Sequence, residues 1–371
     1  MSISPAVPAP ESAVVENAPA VPSYGFWRET WQRFRRRKLA FAALLFVGLM
    51  TIIAFTAPLI VGKKPIVCRF HGGIYFPCLG YFVDSWENSI FKRDGFRRTN
   101  YHASLSVDPE SWAYWPPVYQ DPFSRIRADE FPGQPETPNN GGPPNRFSPF
   151  GSDAEGIDVF AQMVHATLTA LSVGFFSMGI AAAIGITLGA VAGYFGGWTD
   201  TLISRVIEVV MCIPTLILIL AVVAIVPRPT IWHIMAIIGI TSWTGIARLT
   251  RAEFLKLRNA DFVLAAEAIG AGRMRIMFRH ILPNTLAPIL VPITFGIASA
   301  ILIESTLSFL GFGPQGVPSW GKLLNGARSH LDMWWLIVFP GGAIFLAVLA
   351  YNLIGEGLQE ATDPRLLVTG K

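Results

Sequence analysis

Six apolar runs, each long enough to cross a lipid bilayer, constrain the fold of this chain more than any other feature. A hydrocarbon core about 30 Å thick takes roughly 20 helical residues. Backbone groups in lipid must form hydrogen bonds within their own segment, so each run is predicted to be a helix. The runs cover residues 39–62, about 165–195, 202–226, 231–249, 285–308 and 334–354. The predicted fold class is therefore an all-α membrane protein with six transmembrane helices.

Composition agrees with a membrane protein. Of the 371 residues, 52% are hydrophobic and only 15% are charged, which is unusual for a soluble domain. The net charge of +4 comes from basic residues that lie next to apolar runs rather than in one patch. We therefore predict membrane lipid as the surroundings and no nucleic acid as a partner. Three small residues, Gly185, Gly189 and Gly193, predict close packing of the second helix against a neighbour.

Positive charges set the predicted orientation. The stretch "RFRRRK" at 33–38 directly precedes the first run, which places the amino terminus in the cytoplasm. Counting six spans onward places the carboxyl terminus there too, and the predicted location is the cell inner (cytoplasmic) membrane. No cleavable signal peptide is expected, because the first run is too long and begins too far from the start. The predicted segments are a partly disordered cytoplasmic segment 1–38, a first helix 39–62, an extracytoplasmic insert 63–160, a five-helix core 161–358 with a cytoplasmic loop 250–284, and a cytoplasmic tail 359–371.

The insert is too long for a turn and is rich in Trp, Tyr, Pro and Gly, so it is predicted to fold as a small cap. Cys68 and Cys78 flank "RFHGGIYFP", in which two glycines separate short aromatic runs in the manner of a hairpin. In an oxidising compartment the two cysteines either form a disulfide or remain free thiols. With His71 they make a poor ligand set, and no metal site is predicted.

The loop at 250–284 contains a predicted short helix of its own. Asp261 suits a helix start, and Gly270 suits a helix end. Phe262, Ala265, Ala266 and Ile269 recur at helical spacing and make one apolar face, whereas Glu267 points elsewhere. From periodicity alone two interpretations stay open. The helix rests on its own bundle, or it meets another protein.

The motif "LAAEAIG" at 264–270, followed by "LP" at 282–283, resembles the signature of the integral membrane subunits of ATP-binding-cassette (ABC) importers. Ala265, Ala266, Gly270, Leu282 and Pro283 match that signature. Leu264 replaces its glutamate and His280 its isoleucine, and both departures are typical of the dipeptide and oligopeptide branch. Further similar stretches lie at 150–167, 304–313, 318–324 and 355–366. The insert is most similar to the subset related to the microcin C and oligopeptide permease subunit.

The resemblance implies a type I importer fold, also called MetI-like, with an extra first helix before a five-helix core. It implies a second, usually different, permease subunit that shares a path for peptides, two ABC ATPase subunits, and an extracytoplasmic peptide-binding protein. The helix at 261–270 would be the coupling helix, which docks in a cleft of the ATPase. The predicted coupling residues are Asp261, Phe262, Ala265, Ala266, Glu267, Gly270, His280, Leu282 and Pro283.

Other functions are less well supported. The chain has no "GxxxxGK[ST]" phosphate-binding loop, so it is predicted not to be an enzyme. ATP and Mg²⁺ would be used by the partner ATPases, and no cofactor is expected on this chain. An ion-coupled secondary transporter is the alternative, but it would carry more ionisable groups near the membrane midplane. An intramembrane enzyme would need catalytic groups close together in the spans. Glu304 is a weak candidate for the substrate pathway, against helix pairing or an outer gate.

Overall fold

The computed structural model describes residues 26–82, 100–127, 130 and 141–362. The helices are α1 (Phe26–Arg36), α2 (Lys38–Ile60), α3 (Tyr101–Leu105), α4 (Val159–Phe195), α5 (Gly197–Met211), α6 (Thr215–Ile225), α7 (Ile231–Thr241), α8 (Trp243–Leu257), α9 (Asp261–Ala268), α10 (Arg273–Arg275), α11 (Leu282–Phe309), α12 (Trp320–Ala327) and α13 (Trp335–Thr362). The strands are β1 (Val67–Phe70), β2 (Gly73–Tyr75) and β3 (Trp112–Tyr114). A 3₁₀ helix covers Pro77–Tyr81, and a π-helical segment covers Ile276–Ile281.

The described residues form a helical protein of membrane type. Four helices are long and apolar enough to cross a bilayer: α2, α4, α13 and the continuous helix Arg273–Phe309. The pair α5 and α6 adds a fifth if a bent pair counts as one span. α7 and α8 have only 11 and 15 residues. Length and composition therefore do not confirm the predicted count of six.

The prediction of one continuous third helix over 202–226 is wrong. α5 and α6 meet at an angle of 82°. Pro214 lies at the break, with φ −56° and ψ 120°. Proline has no N–H to donate and disfavours helical geometry in the residue before it, so the helix ends and starts again. The fourth run is also interrupted, at Ser242, and α8 continues to Leu257, beyond the predicted end at 249.

The fifth helix begins earlier than predicted. The sequence suggested a loop up to 284, but the helix runs from Arg273 through the π-helical segment into α11. Pro283 therefore lies inside a continuous helix. A proline ring clashes with the carbonyl group of the residue four positions earlier in a regular α-helix. The wider π turn directly before Leu282 is one of the ways in which helices accommodate such a disruption.

α4 lies at the centre of the bundle and packs against α2, α7, α8 and α11. The predicted glycine stripe forms the contact with α8 and is confirmed. A Cβ atom placed on Gly189 would lie 2.4 Å from the carbonyl oxygen of Ala247. At Gly193 it would lie 2.6 Å from the carbonyl oxygen of Arg251. Only glycine lets the two backbones approach this closely.

The insert contains a three-stranded antiparallel sheet in the order β2-β1-β3, which the all-α prediction did not include. The predicted hairpin is confirmed. Phe70 pairs with Gly73, and the two residues between them have positive φ angles, 46° at His71 and 77° at Gly72. Two positive φ angles in a two-residue loop are typical of the type I′ hairpin turn.

No disulfide joins Cys68 and Cys78. Both are buried free thiols, and the Sγ of Cys78 donates to the carbonyl oxygen of Ile66 at 3.3 Å. Burial raises the pKa of the Cys68 thiol to about 11, so this thiol stays protonated and unreactive at neutral pH.

Both chain ends lie partly outside the residues that the structure describes. The predicted disordered stretch within 1–38 lies mostly outside the described residues, as does 363–371 of the predicted tail. α1 was not predicted. Its Phe34 is buried against Ala40 and Ala361, which ties the start of α2 to the end of α13.

Candidate coupling surface at the α9 end

The bundle has two ends that differ in construction. The α9 end contains α1, α9 and the last turns of α13. The insert end contains the β-sheet, the start of α4 and α12. Hydrogen bonds connect α12 and α13 to the insert end, where Trp320 Nε1 donates to Met163 O at 3.2 Å and Trp335 Nε1 donates to Ser152 O at 3.0 Å.

α9 starts and stops at the predicted residues. Asp261 is its first residue and directly follows the N-cap residue Ala260, and a carboxylate in the first turn interacts favourably with the helix dipole. At the other end Gly270 has φ +80°. Its N–H donates to Glu267 O at 2.9 Å, and the N–H of Ala271 donates to Ala266 O at 3.0 Å. These two bonds form a Schellman motif, which terminates the helix.

One side of α9 packs on its own chain. Val263 is fully buried and Ala266 is 4% exposed. They join a cluster with Ala190 of α4, Phe254 of α8 and Met277 of the π-helical segment. The helix is therefore attached to the ends of three different helices. Sequence reasoning missed Val263, although its position three residues before Ala266 is the signal that would have found it.

The predicted apolar face of α9 is split by this packing. Ala266 faces the chain, but Phe262 is 40% exposed, Ile269 is 85% exposed, and Ala265 is exposed as well. We call Phe262, Ala265 and Ile269 the α9 flank. Their helical spacing places them side by side. Of the four residues predicted to form one apolar face, only Ala266 packs on the chain, because Val263 rather than Phe262 fills the cluster.

Polar side chains around α9 connect it to α4. Glu267 is exposed, and its Oε1 accepts a hydrogen bond from the hydroxyl of Tyr194 at 3.4 Å. The guanidinium of Arg273 lies 6.0 Å from the ring centroid of Phe195, within range of a cation–π interaction. Nearby, Arg251 of α8 forms a two-pronged ion pair with Asp200 of α5, of which the Nη2–Oδ2 contact is 2.7 Å.

The remaining predicted coupling residues lie on the helix that follows α9. His280 is half-buried, and its carbonyl oxygen accepts a hydrogen bond from Asn284 Nδ2 at 2.7 Å. Leu282 packs against the cluster that holds α9, whereas Pro283 is exposed. Leu282 therefore belongs to the packing that holds α9 in place, whereas Pro283 lies outside that cluster.

Glu304 lies inside the protein. It is 1% exposed, and its Oε1 accepts hydrogen bonds from the hydroxyl groups of Ser308 at 2.7 Å and Ser319 at 2.8 Å. Ser319 immediately precedes α12, so the carboxyl group connects α11 to α12. This geometry favours the helix-pairing alternative over a substrate-facing role.

The insert end contains a buried charged cluster that sequence reasoning missed. Lys63 is 1% exposed, and its Nζ lies 3.5 Å from Asp121 Oδ2 and donates to Ser124 Oγ at 2.8 Å. Lys64 lies 4.3 Å from the ring centroid of Tyr81, whose hydroxyl donates to Asp121 at 3.2 Å. The only sequence signal was a pair of lysines directly after an apolar run.

The start of α4 is fixed by two aspartates. Asp158 caps the helix by accepting from Ala161 N at 2.7 Å. Asp153 accepts from Ile157 N at 2.8 Å and from Gln162 Nε2 at 2.6 Å. Burial raises the pKa of each carboxyl group to about 6. These residues fall within the stretch 150–167 that carries part of the resemblance.

Comparisons with known proteins identify the family. Residues 185–368 match a family described as the inner membrane component of binding-protein-dependent transport systems. Residues 25–66 match the N-terminal transmembrane domain of oligopeptide transport permease C. This chain is 32% identical over 362 residues to the peptidoglycan transport system permease YejE of Agrobacterium fabrum, which covers 91% of this chain and 93% of that protein.

The chain belongs to this family of ABC transporter permeases. It is also 42% identical over 219 residues to the dipeptide transport system permease DppC of Alkalihalophilus pseudofirmus, covering 58% of this chain and 72% of that protein. The glutathione transport system permease GsiD of Pectobacterium atrosepticum is 32% identical over 342 residues, which is 92% of this chain and 91% of that one. The resemblance to the dipeptide and oligopeptide branch is confirmed, and the family supports the predicted MetI-like fold.

A solved structure is similar at a much greater distance. An inward-facing methionine ABC transporter aligns with a TM-score of 0.43 at 16% identity, over 54% of this chain and 97% of that chain. This likeness is too weak to support any detail of the permease. The family assignment therefore stands on the sequence relatives alone.

Proposed function

We propose that this permease is one of two membrane subunits that form a path for peptides, and that α9 transmits ATP-driven closure from a separate ATPase. Relatives named as dipeptide and glutathione permeases support peptides as the substrate class. The two ATPase subunits hydrolyse ATP with Mg²⁺, and this chain binds no cofactor itself. A second permease of the same family and an extracytoplasmic peptide-binding protein complete the assembly.

One observation carries the proposal: α9 is anchored on one side and open on the other. Val263 and Ala266 attach it to the ends of α4, α8 and the helix Arg273–Phe309, while the α9 flank remains exposed. An exposed apolar surface on a rigidly held helix is typical of a protein–protein contact. Because the anchor reaches three helix ends, a displacement of α9 moves the bundle as a rigid body.

The proposed topology has six spans with both termini in the cytoplasm. α7 and α8 act together as one span that is kinked at Ser242, and α5 with α6 is a span broken at Pro214. The basic stretch 33–38 supports a cytoplasmic position for α1 and α9. The insert then lies outside, where it can meet the binding protein or the second permease.

The test is cysteine crosslinking between α9 and the ATPase in the assembled transporter. Cys68, Cys78 and Cys212 are first replaced by serine. Ala265→Cys then places a thiol on the α9 flank, and Leu264→Cys places one on the same helix about 100° away around the helix axis. Both positions are exposed. We expect Ala265→Cys to crosslink to cysteines in the ATPase cleft in a nucleotide-dependent manner, and Leu264→Cys to do so much less.

The opposite result is equally informative. If both thiols react with a soluble reagent in an intact complex but neither crosslinks to the ATPase, α9 merely rests on its own bundle. The ion-coupled secondary transporter would then be the stronger hypothesis. Equal crosslinking from both positions would show an interface wider than the α9 flank.

A further inference from the structure

Two cavities meet at the junction of α1, α2 and α13. The first has a volume of about 280 Å³ and is lined by the basic residues Arg36, Arg37 and Lys38 together with Glu356 and Glu360. At its floor α2 and α13 touch closely, since a Cβ atom on Gly357 would lie 2.3 Å from Ala40 Cβ. We call this cavity the basic pocket.

The second cavity is an apolar groove of about 210 Å³ between α2 and α13. Its walls include Ala42 and Phe46 from α2 and Leu346 and Leu349 from α13. Leu39 and Leu353 line both cavities. The groove is therefore continuous with the basic pocket, and a single elongated molecule with a polar head and an apolar tail would fill both.

The charges of the basic pocket favour an anionic head. Arg37 and Glu360 already pair with each other at 2.5 Å. Arg36 and Lys38 are exposed and make no ion pair within the described part of the chain. Glu356 is the one further carboxylate in the lining, and it suits a headgroup that carries hydroxyl donors beside its phosphate. Basic pockets between membrane-spanning helices are typical of sites that bind the headgroups of anionic lipids.

The neighbouring helix suits the boundary between lipid and water. α1 has basic residues in its last turn, and its Trp31 is 48% exposed. Exposed tryptophan and arginine side chains on a helix next to a membrane span are typical of the boundary between lipid headgroups and water. Because α2 and α13 are both long enough to span the bilayer, the groove between them opens to lipid tails.

We propose that the basic pocket and the apolar groove form one binding site for an anionic phospholipid of the phosphatidylglycerol type. Its phosphate lies against Arg36 and Lys38, its glycerol hydroxyl groups donate to Glu356, and one acyl chain follows the groove past Phe46 and Leu349. A lipid held there connects the first span to the last one at the end of the molecule where α9 lies.

The test uses the assembled transporter in phosphatidylethanolamine nanodiscs that contain a small share of photoactivatable phosphatidylglycerol. The reactive group sits in the acyl chain, and adducts are mapped by peptide mass spectrometry. We expect adducts on α2 and α13 at the groove. Replacing Arg36→Gln and Lys38→Gln should lower their yield by about fivefold for each cation, the effect of roughly one charge near an anionic lipid.

Matched variants separate this site from general charge and from bulk lipid. The pair Arg33→Gln and Arg35→Gln removes the same net charge from nearby positions of α1 outside the pocket, and should change the yield by less than twofold. Ala42→Phe should block the groove, whereas Leu45→Phe, on an exposed position of α2 outside it, should not.

Three results would overturn the proposal. A matched photoactivatable phosphatidylethanolamine that labels the groove equally well would indicate unselective lipid. A loss with Arg33→Gln and Arg35→Gln as large as with the pocket variant would indicate surface charge alone. Adducts absent from the groove, in a complex where a second subunit crosslinks to Phe46 or Leu349, would show that protein covers it.

Discussion

The two ends of this permease handle polar and apolar side chains in opposite ways. At the insert end, Lys63 and Asp121 are buried and bonded to each other, together with Tyr81. At the α9 end, Ile269 and Phe262 are apolar and exposed. Buried charges require fixed partners, because a lone charge in a dry interior is very costly. Apolar side chains that lie side by side on an exposed surface are typical of sites that contact another protein or a membrane. The insert end is therefore held together by buried ionic and hydrogen-bonded groups, whereas the α9 end keeps exposed the apolar side chains on which the proposed docking rests.

The largest expected effect comes from breaking the buried ion pair between Lys63 and Asp121. Lys63→Ala leaves the Asp121 carboxylate buried without its cation, which typically costs about 3–5 kcal/mol. We expect the insert to open, so that the buried thiols of Cys68 and Cys78 react with a membrane-impermeant maleimide. Arg69→Ala is the matched control, because its partner Glu110 is 79% exposed and surface pairs contribute little. Equal thiol protection in both variants would show that the Lys63–Asp121 ion pair does not keep the insert closed.

Close packing of α4 against α8 connects the α9 end to the rest of the bundle. Gly189→Ala places a methyl group 2.4 Å from Ala247 O, and forcing α4 and α8 apart should cost about 1–3 kcal/mol. The measurement is thermal unfolding of the purified complex. Gly179→Ala is the control, since nothing lies within 4 Å of its Cβ position, and in a helix it should stabilise slightly. A similar melting temperature for both variants would contradict the packing argument.

A pair of substitutions on α9 separates anchoring from docking. Val263→Ala removes two buried methyl groups and should destabilise the anchor by about 1–2 kcal/mol, seen as faster hydrogen exchange across 261–270. Ile269→Ala changes an exposed side chain and should leave that exchange within about 0.5 kcal/mol of the original. It should nevertheless lower the peptide-stimulated ATPase activity of the complex. Unchanged activity in Ile269→Ala would argue against docking through the α9 flank.

The smallest expected effect is a pH dependence at the insert end. The pKa values of Asp153 and Asp158 lie at about 6 in the folded protein, above their ordinary value. Protonation of these carboxyl groups therefore stabilises the folded state. This stabilisation is fully present below the ordinary aspartate pKa of about 4 and is lost as pH rises through about 6. Between pH 5 and pH 7, hydrogen exchange at 150–161, corrected for intrinsic rates, should rise about tenfold, or about 1.4 kcal/mol, for each carboxyl group that is coupled to local opening.

Asp158→Asn provides the control for this effect. Asparagine caps a helix about as well as aspartate, but it does not titrate. The variant should therefore keep the helix start and show a weaker pH dependence. If the corrected exchange rates of the original protein do not change between pH 5 and pH 7, neither carboxyl group is coupled to local opening.

Local sequence signals predicted the elements that depend on short-range geometry. Gly270 ends α9, two residues with positive φ close the β1–β2 hairpin, and the glycine stripe of α4 meets α8. The family also followed from contiguous motifs. Each of these features is encoded by residues a few positions apart, so a single sequence contains the whole signal.

The sequence by itself determined that this chain is a helical membrane protein with a short helix near 261–270, because apolar length and backbone conformation are local properties, and its contiguous motifs pointed to the permease family. Only the tertiary structure decided which side of that helix is open. Val263 and Phe262 are neighbours in the chain, and the choice between them depends on Ala190, Phe254 and Met277 from three distant segments. The burial of Lys63 and of Glu304 was decided in the same way, since the groups that satisfy them, Asp121 and Ser319, are brought close by folding.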